Sequence, residues 1–269
     1  MRPLLKVENL VKHYAAGRST RSKDRLAALD GVSLSIPSGE TLALVGESGS
    51  GKSTLALCIA CLETPTSGSI SFEGIDVATL DENQQRLFRP QIQLVFQDPA
   101  SSLNPRWTAL EIVSEPFLVQ RRFTKPDRTV RALQLLDRVA IPRKLAGRRA
   151  DELSGGQKQR LAIARALALE PKLIILDEAL SALDCSVQAL IANLLLELQA
   201  SLGLAYLFIT HDFAMAAHLA DRIAVMDRGR IVESGPTENI LRSPNHEATR
   251  ALLAAVPRFI ESPSVLVTA

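Results

Sequence analysis

The run GESGSGKST (Gly46–Thr54) sets a lysine behind small residues, a composition suited to wrapping a chain of phosphates. It matches G-x-x-x-x-G-K-[ST], with an apolar run before it and the helical stretch LALCIACL after it. The glycines let backbone N–H groups close around the phosphates, Lys52 neutralises the outer two, and the Ser53 hydroxyl is suited to ligate Mg²⁺. A bare match arises by chance, but strand, loop and helix in this order make Gly46, Glu47, Ser48, Gly49, Ser50, Gly51, Lys52, Ser53 and Thr54 a nucleotide-binding loop.

Further groups fit the same chemistry. In LIILDE (173–178), Asp177 can hold Mg²⁺ through water, and Glu178 can polarise a water for attack on the γ-phosphate. Alone, this pair would read as a solvated acidic turn. His211, in FITHD, is either a satisfied histidine at a strand end or a γ-phosphate contact; the company it keeps favours the second. Gln97, in FQDP, can touch Mg²⁺ or the attacking water. Tyr14, in KHYAAG, offers a ring for adenine, with an ordinary edge-strand aromatic as the alternative.

A second anion site is written in LSGGQKQR (153–160). Ser154 can cap a helix running to about Leu169, and the open N–H groups and positive dipole end would favour a phosphate. No lysine stands at its helix start, so it is half a site.

These groups need a scaffold, and the hydropathy pattern predicts one. Four apolar runs, TLALV (41–45), IQLVF (92–96), LIIL (173–176) and AYLFI (205–209), read as buried parallel strands separated by helices, with RIAVM (222–226) as a fifth. Gly46, Gln97, Asp177–Glu178 and Thr210–His211 directly follow the first four. Ligands of open α/β sheets sit beyond the carboxyl ends of strands, where these residues fall.

The totals narrow the class. With 46% hydrophobic and 22% charged residues the 269-residue chain is an ordinary globular protein. Its 31 basic and 29 acidic residues give net charge +2, without the basic excess of a nucleic-acid footprint. The start MRPLLKVENL lacks a signal-peptide core, and Ala189–Ile209, the richest apolar region, is broken by Asn193, Glu197, Gln199 and Ser201. The expectation is a cytosolic chain, any membrane role of which must go through partners. Cys58 and Cys61 form C-x-x-C on a predicted buried helix with no second ligand pair nearby, and are read as packing.

Tyr14, GESGSGKST, Gln97, LSGGQ, LIILDE, SALD (181–184) and His211 occur in the order of the ATP-binding-cassette ATPases, which the chain resembles over essentially its whole length. The resemblance implies an α/β P-loop NTPase core with an antiparallel β-subdomain and an inserted helical subdomain. Expected divisions are 1–97 (β-subdomain and first part of the core), 98–153 (helical subdomain), 154–240 (signature helix and remaining core) and 241–269 (accessory segment). Glu178, His211 and Gln97 are the expected catalytic residues, and Ser53, Gln97 and Asp177 the expected Mg²⁺ ligands, with ATP as nucleotide. Leu153, Ser154, Gly155, Gly156 and Gln157 would complete the ATP site of a second, identical or homologous ATP-binding subunit, with Ser181 and Asp184 of the D-loop at the same interface. The helical subdomain, with an amphipathic pattern at Val130, Leu133, Leu136 and Val139, would grip a permease.

VFQDPASSLNPRWT (95–108) and SPNHEATRALLAAVP (243–257) resemble the oligopeptide, dipeptide and nickel importer branch. Glu247-Ala248 stands where Pro-Tyr is usual, Ala179-Leu180 where Pro-Thr or Pro-Val is common, and Cys61 where glycine is frequent. No cysteine follows Cys185, so no iron–sulfur cluster is expected. The reading is a peripheral ATPase on the cytoplasmic face of the membrane, working with two permease subunits and, indirectly, an extracytoplasmic solute-binding protein, and not with nucleic acid. Another ABC transporter type or a soluble non-transport ABC ATPase is the alternative, while LSGGQ argues against a P-loop kinase. Cargo, peptide or nickel or another solute, stays open.

Overall fold

The computed structural model describes residues 3–15, 25–98 and 102–255. Pro99–Ser101 of the segment after Gln97, and residues 256–269 of the expected accessory segment, lie outside them. Strands are β1 (Leu5–Ala15), β2 (Arg25–Ile36), β3 (Thr41–Val45), β4 (Ser67–Phe72), β5 (Ile75–Asp76), β6 (Ile92–Val95), β7 (Leu173–Asp177), β8 (Ala205–Thr210), β9 (Arg222–Asp227) and β10 (Arg230–Pro236). Helices are α1 (Lys52–Ile59), α2 (Glu82–Phe88), α3 (Ala109–Val119), α4 (Lys125–Arg138), α5 (Gly155–Leu167), α6 (Cys185–Leu202), α7 (Phe213–Leu219), α8 (Thr237–Arg242) and α9 (Glu247–Ala254).

Two sheets result. An antiparallel sheet has the order β2-β1-β4-β5, and a larger one the order β10-β9-β3-β8-β7-β6, parallel except for β10 against β9. Side-chain alternation along the parallel strands divides the core. Leu42, Leu44, Ile175, Leu207 and Ile209 pack with Leu55 and Ile59 of α1 and with Leu5, Leu10 and Val32 of the antiparallel sheet. Ala43, Val45, Ile174, Leu176 and Phe208 turn the other way, towards Ile191, Leu195, Phe213 and the helices of the other face.

Three local expectations change. Helix α1 ends at Ile59 and Cys61 has φ +55°, so only Cys58 of the pair lies on it. Burial pushes the Cys58 thiol up to about 11, the opposite of an activated thiolate. On α4, Val130 is exposed, and Ala132 and Leu136 with Val139 just past the end carry the buried face. Helix α6 is long and apolar enough to cross a membrane by length and composition, at mean hydropathy 1.3. Its Ile191, Leu195 and Leu198 are nevertheless in the core, where a two-sided sheet demands an apolar helix.

The segment after β10 is latched by one carboxylate. Glu233 accepts from the amides of Asn245 (2.8 Å) and His246 (3.0 Å) and from the hydroxyl of Thr249, which is fully buried. Desolvation pushes its carboxyl up, but hydrogen bonds from Asn245, Thr249 and His246 outweigh this and hold it below its usual range. Glu233→Ala leaves the Thr249 hydroxyl buried and unpaired, at about 1–3 kcal/mol. The expected result is faster protease cleavage around residues 243–254 with the core intact; equal protection would show that the latch carries no stability.

Candidate active site

The phosphate loop begins where β3, buried along its whole length, reaches the sheet edge. Its far end, Gly51, has φ +108°, and a Cβ there would stand 2.4 Å from the Ala28 carbonyl oxygen. Any other residue would be both strained and in collision with backbone. That close approach is held by the β9–β10 turn: Gly229 N–H donates to Ser50 O (2.9 Å), and Gly229 O accepts from Asp30 N–H (2.8 Å). The loop is thereby stapled to β2 on one side and to the turn on the other.

Lys52 arches back over the loop. Its Nζ donates to the carbonyls of Gly46 (2.8 Å) and Glu47 (2.7 Å), and only 4% of the residue is exposed. Burial lowers its pKa, while the charges of Glu178, Asp177 and Glu47 oppose the shift. Glu47, Ser48 and Gly49 are exposed, Ser50 is buried, and Thr54 is half-buried on the first turn of α1.

The carboxylates arrive from β7. Ser53 Oγ donates to Asp177 Oδ1 at 3.2 Å, joining the loop to the strand end. Burial raises the Asp177 carboxyl above its ordinary 3.8; the Ser53 hydrogen bond opposes this, Glu178 adds to it and Lys52 opposes it. An acid raised in the folded state destabilises the fold once ionised, so the penalty is absent below 3.8 and is complete above the raised value. At neutral pH, Asp177→Asn is therefore expected to raise the melting temperature of the nucleotide-free protein by a few degrees while lowering ATP turnover. A lower melting temperature would overturn the electrostatic part of this account.

Glu178 has φ +47°, uncommon for a residue with a side chain, and its N–H donates to Ile209 O at 3.0 Å. Its Oε1 lies 3.9 Å from Nδ1 of His211, beyond hydrogen-bond reach. Glu178 is mostly enclosed and His211 open, with side-chain exposures of 20% and 59%. Ends of β7 and β8 thus bring an acid and an imidazole together beside the loop. Gln97 is exposed just past β6 and makes no hydrogen bond to Ser53, Asp177 or Glu178 among the described residues. Tyr14 is half-buried near the end of β1, with the Lys12 ammonium 4.9 Å from its ring centroid.

The second anion site is built separately. Ser154 caps α5 by accepting from Gln157 N–H (3.3 Å), and the Gln157 side chain accepts from Ser154 N–H (2.9 Å). This capping box leaves the first-turn amides of exposed Gly155 and half-buried Gly156 without an intrahelical partner. Leu153, just before the cap, is buried in the core. A Cβ on Gly156 would come 2.6 Å from Val187 Cγ1, so the end of α5 rests on the start of α6. The connecting turn is held by Ser181 Oγ donating to Glu178 O (2.9 Å) and by Asp184, which caps α6 through Val187 N–H (2.9 Å). The Ser186 hydroxyl, then that amide, keeps the Asp184 carboxyl below its usual range. The P-loop leans on β2 and the β9–β10 turn, the α5 end on α6.

Sequence reasoning missed the staple residues Asp30 and Gly229, for which the turn-forming DRGR (227–230) was the available signal. It also missed Arg165. From α5 this residue binds Glu115 of α3 (2.7 Å) and the Ser102 carbonyl (3.4 Å), beside a groove of about 290 Å³ lined by Gln93, Phe96, Val119 and Leu169. A second, more apolar hollow of about 440 Å³ involves Trp107, Leu110 and Leu118. Neither is lined by a residue of the phosphate loop.

A family model described as "ABC transporter" matches residues 29–181. A probable peptide ABC transporter ATP-binding protein of Sinorhizobium fredii, y4tS, is 50% identical over 256 residues, covering 94% of this chain and 72% of that protein. The dipeptide transport ATP-binding protein DppF of Escherichia coli is 45% identical, over 96% of this chain and 77% of that one. Among solved structures, the ATP-binding cassette MJ0796, in a dimeric post-hydrolysis state with ADP and Pi, superposes with a TM-score of 0.77 at 34% identity. That match covers 87% of this chain and 98% of the other.

Proposed function

Because the chain belongs to the ABC transporter family and is one of its ATPases, we propose that it energises a membrane importer of oligopeptides or dipeptides from the cytoplasmic face. The peptide assignment comes from the relatives; one observation of the chain itself carries the mechanism. The capped end of α5 and the Lys52 cradle are two half-sites resting on different elements of one molecule. Two copies, or this chain and a homologous ATPase, would bring Ser154, Gly155 and Gly156 of one subunit onto the phosphates held by Lys52 of the other. Leu153 and Gln157 would hold that end in shape.

Within each site, Lys52 would give up its loop carbonyls for the outer phosphates while Tyr14 stacks on adenine. Glu178 would accept the proton of the attacking water, with His211 at the γ-phosphate. The donor set fits Mg²⁺: a hydroxyl and a carboxylate already converge at Ser53 and Asp177, and that carboxyl lacks a countercharge large enough to offset its burial. Gln97 would reach the same ion as its loop moves. When bound with ATP, the ion would supply charge neutralisation for the triphosphate. Ser181 and Asp184 would lie across the joint, where the Ser181 bond to the Glu178 carbonyl ties closure to the catalytic carboxylate.

The helical unit around residues 98–153, with the start of α5, would be the part that moves. The groove beside Arg165 and the apolar hollow at Trp107 and Leu118 would receive the permease pair. Purification of the tagged chain from its native membranes in mild detergent tests this. Two permeases, with or without a second ATPase and a solute-binding protein, are expected in the mass spectrum. Ribosomal or DNA-repair proteins without a permease would remove the transport reading and leave the ATPase standing.

A further inference from the structure

Lys12 opens the stretch KHYAAG that carries Tyr14, and its contacts reach the segment that follows the phosphate-loop helix. Its Nζ sits 4.9 Å from the Tyr14 ring centroid, 2.6 Å from Glu63 Oε2 and 2.8 Å from the Thr64 carbonyl oxygen. It is the more enclosed member of its ion pair, with 12% side-chain exposure against 35% for Glu63. Its hydrogen bond to Glu63 raises the ammonium's pKa against the opposing effect of burial. Strand pairing of β1 with β2 slips between Lys12 and His13, a bulge of the kind that re-aims side chains beside sites.

The partner segment is the continuation of the phosphate-binding helix. After α1, Cys61 takes a left-handed conformation, and the amides of Leu62 and Glu63 both donate to Leu57 O. This turn delivers Glu63 to β1, and the two chains are tied again by Thr66 N–H to Val11 O (2.7 Å) and His13 N–H to Thr66 Oγ1 (3.0 Å). Lys12 therefore links the strand that carries Tyr14 to the helix that begins with Lys52.

We propose that Lys12 is a positioning residue for nucleotide binding: held by Glu63 and Thr64, it covers one face of the Tyr14 ring and fixes the other for the adenine base, in register with the phosphate loop. A cation over an aromatic face is attracted by the ring quadrupole, so the ring loses freedom that a stacked purine would otherwise have to remove. The inference rests on the reading of Tyr14 as the adenine platform.

The test compares ATP with inorganic tripolyphosphate, which offers the phosphates without the base, by calorimetry on the whole chain. Lys12→Met keeps the apolar stem and loses the charge. Its ATP dissociation constant is expected to rise about tenfold, as for a partly desolvated cation–π contact, with tripolyphosphate affinity held within about twofold. Lys12→Arg should restore most of the ATP affinity, and Glu63→Gln should show a smaller loss for ATP alone. In the Tyr14→Ala background, Lys12→Met should cost nothing further. Equal weakening for both ligands would mean a general charge or folding effect and would overturn the proposal. Wild-type ATP affinity in Lys12→Met, with Tyr14→Ala impaired, would overturn it and leave the platform standing. Wild-type affinity in Tyr14→Ala would remove the platform and the proposal together.

Discussion

Glu178→Gln is expected to bind ATP normally, to turn it over at least about a hundredfold more slowly, and to accumulate as a nucleotide-locked dimer. The size follows from removing a general base, which contributes about 10²–10⁴-fold. The substitution keeps the side chain's volume and leaves the backbone bond to Ile209 unchanged, so the fold gives no reason for collapse. The amide cannot take a proton from water, and losing one negative charge beside Asp177 favours the triphosphate. Single-turnover hydrolysis and size-exclusion chromatography with ATP read both halves. Turnover at the wild-type rate would take Glu178 out of the role of base.

Lys52→Ala is expected to weaken ATP binding by about 10–100-fold, the loss of a charged hydrogen-bonding group from the phosphates. Two effects act together. The positive charge disappears, and so do the bonds from Nζ to the Gly46 and Glu47 carbonyls that shape the loop. In the proposed function Lys52 would exchange those carbonyls for phosphate oxygens, and its bonds to them already shape the loop. Calorimetric titration measures the effect, and the melting temperature without nucleotide separates loop disorder from lost charge. ATP affinity unchanged in this variant would place the phosphates elsewhere.

The phosphate loop, the strands and the carboxyl-edge positions of Asp177, Glu178 and His211 were legible because their signals are local. Glycine type, one lysine and apolar runs all act within a few residues. Ser154 as the cap of α5 was equally legible, since a helix cap is closed within one turn; the reciprocal Gln157 bond came from the structure. Helix ends were less so: nothing in LCIACLE says that Cys61 turns left-handed and ends α1. Likewise Val130 keeps the helical period but faces water, because what α4 buries depends on which helices cover it.

The sequence by itself determined the kinds of chemistry and the edge of the sheet where they gather. Composition and spacing suffice for that, because backbone amides, a lysine and paired carboxylates have few other joint uses. Only the tertiary structure decided what holds them in register. The Gly229–Ser50 staple, the Lys12–Glu63 bridge between residues 51 positions apart, and the Glu233 latch on the last helix all join distant segments. Such contacts depend on how two sheets and their helices pack, and a single hydrogen-bonding residue leaves no period in a sequence.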